Sequence, residues 1–437
     1  MRPMRIVLII ICCFIMGTGK AQYFEQIKKY TAAQPKSRLD SSINFLTNKL
    51  GVELHYLYPL YQSFGWADKF NVAGKERAYN ENLSHYLSFA GDYKAALQYS
   101  QLSYDTLPAN TVKQIKEEVL QLKTLQYADA RQYILAMAAQ TTVVMINEAH
   151  QKPQHRAFTY SLLESMYQLG YRYLAMEAFS NYDTLKITQP DISTGHFIAE
   201  PVAAEIVRKA IELGFTLVAY EDTAAYRHSG SQRDAVQAAN IYKVLQQDPS
   251  AKIIVQAGYA HIAETVFSTG YTPMGAAFKK LSGIDPLTID QTDLTEGSSF
   301  EYGRLYYNEL MRQFPLNYPA IALQKNKPIN LLEGEGYDLA VIHPPTQYTN
   351  QRPQWLSLNG QRKETVVQPT ERLLFFVQAY YANEYNDTTL NQKIPADQTY
   401  ITADNGYYSL YLKKGNYKLV LRDVSYKILA VKDWLVQ

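Results

Sequence analysis

Short apolar runs alternate with amphipathic segments through the middle of the chain, from about residue 141 to residue 345. Strands that alternate with helices of this length need crossover connections, which indicates a largely parallel sheet with flanking helices. The predicted strands are Thr142–Ile146, Tyr173–Met176, Phe215–Ala219, Ile253–Gln256, Leu287–Ile289, Ala320–Leu323 and Leu339–Ile342. The predicted helices are Pro153–Leu169, Pro201–Leu213 and Gln232–Gln247, the last with Ser231 and Asp234 spaced like a capping box. The pattern therefore predicts an α/β fold.

The flanking segments have different patterns. Before the α/β segment, apolar residues recur three and four positions apart with few β-branched residues, which predicts a helical region. After it, short β-rich runs predict a small antiparallel β-sandwich, with hairpin signals at Asn405-Gly406 and at residues 413–416. The predicted strands of this tail are Leu373–Tyr380, Tyr400–Thr402, Tyr407–Leu412 and Tyr417–Leu421. These patterns divide the chain into a signal peptide (1–21), a helical region (22–137), an α/β domain (138–366) and a small β-sandwich domain (367–437).

The first residues have the pattern of an export signal. Arg2 and Arg5 precede an apolar run at residues 6–16, and small residues then allow cleavage between Ala21 and Gln22. The run is short for a bilayer span, and Cys12 lacks the small preceding residue expected of a lipidated cysteine. We therefore expect an exported protein, periplasmic, on the outer surface or secreted, with no transmembrane anchor after cleavage.

Cleavage at this point changes the chemistry that is available to the protein. It removes both cysteines, which excludes disulfides, thiolate nucleophiles and cysteine metal sites from the mature chain. It also removes three basic residues and no acidic one, so the formal charge falls from +2 to −1. A nearly neutral chain gives no electrostatic reason to expect nucleic acid or an anionic membrane as a partner.

Polar residues follow four successive predicted strands. Glu148 and His150 come after the first strand, and Glu177 ends the second. Glu221 and Asp222 follow the third, and His261 follows the fourth. Because ligands of an open α/β sheet bind outside the carboxyl ends of its strands, we expect these side chains to meet at one edge.

The polar residues at the four strand ends are not equally strong candidates for a functional site. Glu177 lies inside an apolar segment, where a charge is costly unless it is paired or ligated, and His261 follows an apolar strand that ends at Gly258. Taken singly, Glu221, Asp222 and His343 are expected to be solvated surface residues. The candidate site is therefore Glu148, His150, Glu177 and His261.

Two kinds of chemistry suit this set. His150, Glu177 and His261 could hold a divalent cation that activates water. Alternatively, His150 or Glu177 could act as a metal-free general base, with a carboxylate orienting the imidazole. Arg233 at the start of its helix could hold an anionic group or a developing oxyanion, or form a salt bridge to Asp234, Glu221 or Asp222. The chain has no His-Glu-x-x-His, no glycine-rich phosphate loop and no Gly-x-Ser-x-Gly.

Four short segments in order resemble the motifs of the erythromycin-esterase and ChaN-like superfamily, to which the TIKI/TraB proteins are also similar. They are residues 143–150 ending in Asn147-Glu148-Ala149-His150, residues 153–179 with Glu177, the helix with Arg233, and residues 252–262 with His261. The resemblance covers about residues 140–345 and implies a site of Glu148, His150, Glu177, Arg233 and His261. Asn147 stands where the family usually has Gly, and the spacing around it is closer to the ChaN-like form.

What the resemblance implies differs by branch. Esterase-like members activate water with histidine and glutamates, TIKI-like members are metal-dependent peptidases, and ChaN-like members bind haem. The leading hypothesis is an extracytoplasmic hydrolase of an ester or peptide bond, acting on a small-molecule or peptide substrate. The alternatives are a haem- or metal-binding uptake protein without catalysis, and a catalytically silent interaction protein. The β tail is a candidate surface for cell-surface or protein contact.

Overall fold

The computed structural model describes residues 18–35, 53–102, 106–180, 187–332 and 336–437. Residues 1–17, which hold most of the predicted export signal and both cysteines, lie outside the described residues. Helix α1 (Thr18–Ala32) runs through the predicted cleavage point. Among the described residues, none of the helices has the length and apolar character needed to cross a membrane.

The N-terminal region is helical, as predicted, with one exception. Its further helices are α2 (Tyr58–Gly65), α3 (Ala67–Phe70), α4 (Glu76–Phe89), α5 (Tyr93–Gln101), α6 (Ala109–Gln121) and α7 (Ala130–Ala138). The exception is strand β1 (Gln126–Asp129), which pairs antiparallel with a distant strand at residues 320–323. The four residues of β1 carry too little pattern to predict a strand, and the pairing partner decides their conformation.

The central sheet is largely parallel, which confirms the main fold prediction. Its other strands are β2 (Val143–Glu148), β3 (Tyr173–Met176), β4 (Thr216–Ala219), β5 (Ile253–Gly258), β6 (Leu287–Asp290), β7 (Ala320–Gln324), β8 (Lys327–Pro328) and β9 (Leu339–Ile342). They lie in the order β1-β7-β9-β6-β2-β5-β3-β4, with β8 beside β7. The run from β9 to β4 is parallel, and β7, β1 and β8 form an antiparallel extension.

Helices cover both faces of the parallel strands. They are α8 (Pro153–Gln168), α9 (Pro201–Leu213), α10 (Gly230–Gln247), α11 (Met274–Ser282) and α12 (Glu301–Gln313). Along β2, Val144 and Ile146 pack in the core that contains α8 and α9, whereas Val143 and Met145 pack in the core of α10 and α11. This period of two, with both faces apolar, explains why the strand reads as a continuous apolar run.

Helix α10 begins with a capping box that differs from the predicted one. Ser229 is the N-cap residue, and its side chain and that of Gln232 exchange hydrogen bonds with each other's backbone N–H. The prediction of Ser231 and Asp234 was wrong, because both residues bond elsewhere. The Ser231 hydroxyl accepts from the N–H of Thr272, and Asp234 is buried.

The C-terminal region forms separate antiparallel sheets. Its strands are β10 (Tyr348–Thr349), β11 (Arg352–Pro353), β12 (Lys363–Val367), β13 (Phe376–Tyr381), β14 (Asp397–Thr399), β15 (Tyr408–Leu412), β16 (Gly415–Arg422) and β17 (Ile428–Val436). A four-stranded sheet has the order β14-β13-β16-β17, and β12 pairs with β15. Side chains from both sheets share one buried cluster, which includes Val377, Leu410 and Leu419.

The two predicted hairpin signals have different outcomes. At Asn405-Gly406 the chain turns tightly, with Gly406 at φ +80° and Thr402 bridged to Tyr408. Residues 413–416 instead connect strands of different sheets, so the hairpin prediction there was wrong. The predicted strand Tyr400–Thr402 is also displaced, because the ladder forms at Asp397–Thr399.

Buried ion pairs connect the C-terminal sheets to the rest of the chain. Arg352 bonds both the carbonyl of Gly91 and the carboxylate of Asp397. Glu205 on α9 is fully buried and pairs with Arg362 and with Lys413. The largest apolar cluster likewise draws residues from the helical, α/β and C-terminal segments.

Candidate active site

The carboxyl ends of four neighbouring strands carry the candidate residues. Strands β2, β5, β3 and β4 are adjacent and parallel. Glu148 ends β2, Glu177 follows β3, Glu221 lies just after β4, and His261 lies in a short 3-10 helix after β5. The parallel register therefore brings residues that are far apart in sequence to one edge, as predicted.

Glu148 is held by a buried arginine that the sequence analysis did not select. Arg156 on α8 donates to both Glu148 carboxylate oxygens, at 2.9 and 2.7 Å, and to Glu200 at 3.2 Å. Only 1% of the Arg156 side chain is exposed. Burial alone would raise the pKa of Glu148, but the Arg156 guanidinium reverses this and lowers it to about 2. Glu148 is therefore an ionised carboxylate at neutral pH.

His150 is oriented by Glu148 and by two aromatic rings. Its Nδ1 lies 3.2 Å from Glu148 Oε1. The ring stacks on Phe197 at 4.2 Å between centroids and meets Tyr259 edge-on at 5.2 Å. Because an ionised carboxylate only accepts hydrogen bonds, we assign the ring hydrogen of this tautomer to Nδ1. The Nε2 atom then has a lone pair that can accept a proton.

Gly258 allows His150 and Glu177 to approach each other. A Cβ atom at this position would lie 2.7 Å from His150 Nε2 and 3.2 Å from Glu177 Oε2. The Gly258 N–H also donates to Glu177 Oε2 at 2.6 Å. The backbone of Gly258, with φ at −80°, would suit any residue. The glycine is therefore required because a side chain here would occupy the space between His150 and Glu177.

Glu177 is bound on its other side by Arg233. Arg233 Nη2 donates to Glu177 Oε1 at 2.6 Å, and the same guanidinium donates through Nε to Glu221 at 2.9 Å. Burial would raise the pKa of Glu177, but its electrostatic interactions with His261, His150 and Arg233 and the hydrogen bond from the Gly258 N–H lower the pKa below its usual value. The salt bridge to Glu221 that was one alternative for Arg233 is present, and the role of Arg233 toward an anionic group or an oxyanion stays a prediction.

His261 is oriented by a carboxylate that the sequence analysis had placed in a helix cap. Its Nδ1 lies 2.8 Å from Asp234 Oδ2, which also accepts from the Tyr271 hydroxyl at 2.5 Å and the Met274 N–H at 2.9 Å. Burial lowers the pKa of His261, but the hydrogen bond to Asp234 and the charge of Glu177 raise it above its usual value. His261 therefore takes up a proton more readily than a free histidine.

A divalent ion held by His150, Glu177 and His261 does not fit this geometry. The Arg233 guanidinium lies 2.6 Å from Glu177 Oε1 and 3.3 Å from His261 Nε2, so a cation already takes the position between them. Within the described ranges, no group of three or more His, Cys, Asp or Glu residues is arranged to hold a metal ion.

Two cavities meet at His150 and Phe197. A small cavity of about 10 Å³ lies between Glu148, His150, Glu177 and Gly258. A larger one of about 560 Å³, which we call the vestibule, is lined by His150, Phe197 and Tyr259 and by residues of the helical region. The residues from α4 are Arg77, Glu81, Asn82, His85 and Tyr86.

The structure brings the five predicted site residues into one contact network: Glu148, His150 and Glu177 line the small cavity, and Arg233 and His261 lie next to Glu177. Asp222 is buried and bonds His228, and His343 is buried and bonds Gln291 at 3.1 Å, so the expectation of solvated side chains was wrong for both.

The sequence analysis missed four residues that complete the site: Arg156, Glu200, Asp234 and Phe197. For Arg156 and Asp234, the available signal was a charged residue on the apolar face of a helix, which predicts a buried ionic partner. Nothing in the sequence indicated that residues of α4 line the vestibule.

Comparison with known proteins gives a limited result. No protein-family model matches the chain, and no curated protein matches it. Among solved structures, the chain is similar to RRSP, a MARTX toxin effector domain from Vibrio vulnificus, at 12% sequence identity and a TM-score of 0.28. The match covers 62% of this chain and 55% of the toxin domain.

Proposed function

We propose that the protein is a hydrolase of an ester or peptide bond, in which His150 activates a water molecule. The observation that carries the proposal is the convergence of His150 Nε2 and Glu177 Oε2 on the space beside Gly258. The cavity there, at about 10 Å³, is close to the size of one water molecule. His150 is held by the buried carboxylate of Glu148 and Glu177 by Arg233 and the Gly258 N–H, so the base is positioned before substrate binds.

His150 acts as the general base. Glu148 accepts the Nδ1 hydrogen, fixes the tautomer and stabilises the imidazolium that forms when Nε2 takes a proton from water. Arg156 keeps Glu148 ionised, and its Nη2 shares Glu148 Oε1 with His150 Nδ1, since one carboxylate oxygen can accept two hydrogen bonds. Glu177, beside the base, accepts a hydrogen bond from the water and directs the oxygen lone pair toward the substrate carbonyl.

Arg233 and His261 act on the other half of the reaction. The guanidinium supplies positive charge for the oxyanion that develops on the substrate carbonyl. His261, whose pKa is raised by Asp234 and Glu177, donates a proton from Nε2 to the leaving oxygen or nitrogen. Glu177 joins the two halves, since Oε2 faces His150 while Oε1 is bound to Arg233.

The vestibule gives the substrate access to His150. At about 560 Å³ it has the volume of a small-molecule site, and it combines aromatic walls with amide and charged groups. A small molecule or a peptide segment fits this space. From the export pattern we further propose that hydrolysis takes place outside the cytoplasm, in the periplasm, on the outer surface or in the medium.

A substrate screen with a matched variant tests the proposed function. We expect the wild type to hydrolyse p-nitrophenyl esters or fluorogenic peptides, and Glu177→Gln to lose at least about 10²-fold in kcat/KM, because the amide keeps the shape but loses the charge. Glu212→Gln, on the exposed surface of α9, is the control and should keep wild-type activity. Equal turnover by Glu177→Gln and the wild type would refute the proposed mechanism.

Gly258→Ala should separate positioning from folding. The added Cβ would lie 2.5 Å from His150 Cε1. To avoid this clash, the imidazole ring would have to shift and lose its stacking contact with Phe197. We expect kcat/KM to fall about 10²-fold, while the free energy of unfolding falls by about 1–3 kcal/mol. Steady-state kinetics and urea unfolding measure the two effects. Unchanged kinetics would show that the close approach at Gly258 has no part in the reaction.

A further inference from the structure

Another cavity, of about 460 Å³, lies beside α8, and we call it the side cavity. Its walls come from the end of β1, from α7 and α8, from the loop at residues 317–319 before β7, from the loop at residues 343–347 after β9, and from residues between 354 and 359. Among the described residues, it shares none with the lining of the vestibule or of the small cavity at Gly258. The side cavity is therefore separate from the site of the proposed reaction.

Aromatic rings form the apolar part of the side cavity. Phe158 on α8 is buried and packs edge-on against His343, at 5.5 Å between ring centroids. Trp355 packs edge-on against Tyr93 of α5, at 4.8 Å between centroids. Tyr318 also lines the cavity and is 40% exposed. Because ring contacts fix Phe158 and Trp355, little side-chain freedom is lost when a ligand packs against them.

The polar part of the side cavity is rich in amides and has no net charge. Its amide side chains, each of which can donate and accept hydrogen bonds, are Gln132, Gln154, Asn317, Gln347, Gln354 and Asn359. The charged side chains among the described lining residues are Asp129 and Arg131, one of each sign. Burial lowers the pKa of His343 to about 3, so this lining residue is neutral at neutral pH. The cavity therefore suits an uncharged ligand that carries both donors and acceptors.

The backbone around the side cavity is poorly suited to an extended peptide. Pro319, Pro344 and Pro345 line the cavity and have no N–H group. The N–H of the next residue, Thr346, donates to the Glu296 carboxylate at 3.0 Å. A peptide that binds by strand addition needs such backbone donors. A ligand in this cavity must therefore be recognised mainly by side chains.

We infer that the side cavity binds a neutral carbohydrate, through packing on its aromatic rings and hydrogen bonds to its amides. A pyranose ring has apolar C–H faces that pack on aromatic rings, and its hydroxyl groups both donate and accept, as the amides do. The volume of about 460 Å³ lies within the range of small-molecule sites, roughly 300–1,000 Å³. This binding site goes beyond the proposed function and does not depend on it, because its lining residues are not those of the proposed reaction.

Calorimetric titration of the full-length protein with oligosaccharides tests this inference. The neutral probes are cellotetraose, maltotetraose and tetra-N-acetylchitotetraose, and tetragalacturonate is the anionic comparison. We expect saturable binding of at least one neutral probe, and no binding of the anionic one. Tyr318→Ala and Trp355→Ala should each weaken binding by more than about tenfold, since aromatic side chains in pockets carry a large share of the binding free energy. Tyr226→Ala, at a tyrosine that is 79% exposed and lies outside the side cavity, is the control and should bind as the wild type does.

Variants of the catalytic cleft complete the experiment. His150→Ala and Glu177→Gln should keep the affinity for the neutral probe, and loss of binding in these variants alone would place the sugar in the cleft and overturn the inference. The absence of binding by all three neutral probes would also overturn it, as would undiminished binding by the folded Tyr318→Ala variant, whose exposed side chain is not needed for folding. Because no turnover is measured, failure of the carbohydrate site and failure of the proposed hydrolase are distinguishable.

Discussion

Replacement of His150 by alanine is expected to lower kcat/KM about 10²- to 10⁴-fold, the usual contribution of a positioned general base. Glu177, the other side chain beside Gly258, has a pKa below its usual value and is therefore a poor substitute for His150 as the base. The side chain is 24% exposed and packs mainly on Phe197, so folding should be retained. Steady-state kinetics on the substrate found by the screen, with circular dichroism as the folding check, measure the effect.

The control for this variant is His228→Ala. His228 also pairs with a carboxylate at the same edge of the sheet, Asp222 at 2.5 Å, but it lines neither of the two cavities at His150. We expect its kinetics to match those of the wild type. A folded His150→Ala variant with full activity would remove His150 from the mechanism and leave Glu177 as the only candidate base.

Replacement of Arg156 by methionine is expected to lower the free energy of unfolding by about 3–5 kcal/mol, the cost of breaking a buried ion pair by removing one partner. Methionine keeps the apolar stem of the side chain but is shorter, and it leaves the buried carboxylates of Glu148 and Glu200 without their cation. Urea unfolding at neutral pH measures the change. Activity should fall as well, because Glu148 would no longer stay ionised and aligned with His150.

An exposed arginine provides the comparison. Arg372→Met lies on the surface, and we expect it to change the free energy of unfolding by less than about 0.5 kcal/mol. A loss of less than 1 kcal/mol for Arg156→Met would mean that Glu148 and Glu200 find other partners. It would also mean that Arg156 does not set the charge state of the site.

Several features of this protein could be predicted from the sequence because they depend on local periodicity. Strands Tyr173–Met176 and Leu339–Ile342 and helix Pro201–Leu213 have the predicted bounds, since runs of four apolar residues are too short for a typical helix and the 13-residue amphipathic run is too long for a typical strand. The parallel sheet followed from the alternation of strands and helices. The positions of Glu177 and His261 at strand ends then followed from the sheet, because parallel strands share one carboxyl edge.

Only the tertiary structure decided who the partners of these residues are. Arg156, Asp234 and His85 lie on helices. The sequence shows that these residues are charged or polar, but it does not show which strand end each helix faces. The same limit explains the missed strand Gln126–Asp129, whose hydrogen bonds go to a segment almost 200 residues away. Periodicity determines which face of an element is buried. Which neighbour covers that face depends on packing between distant segments. The pairing of charges in the site depends on this packing.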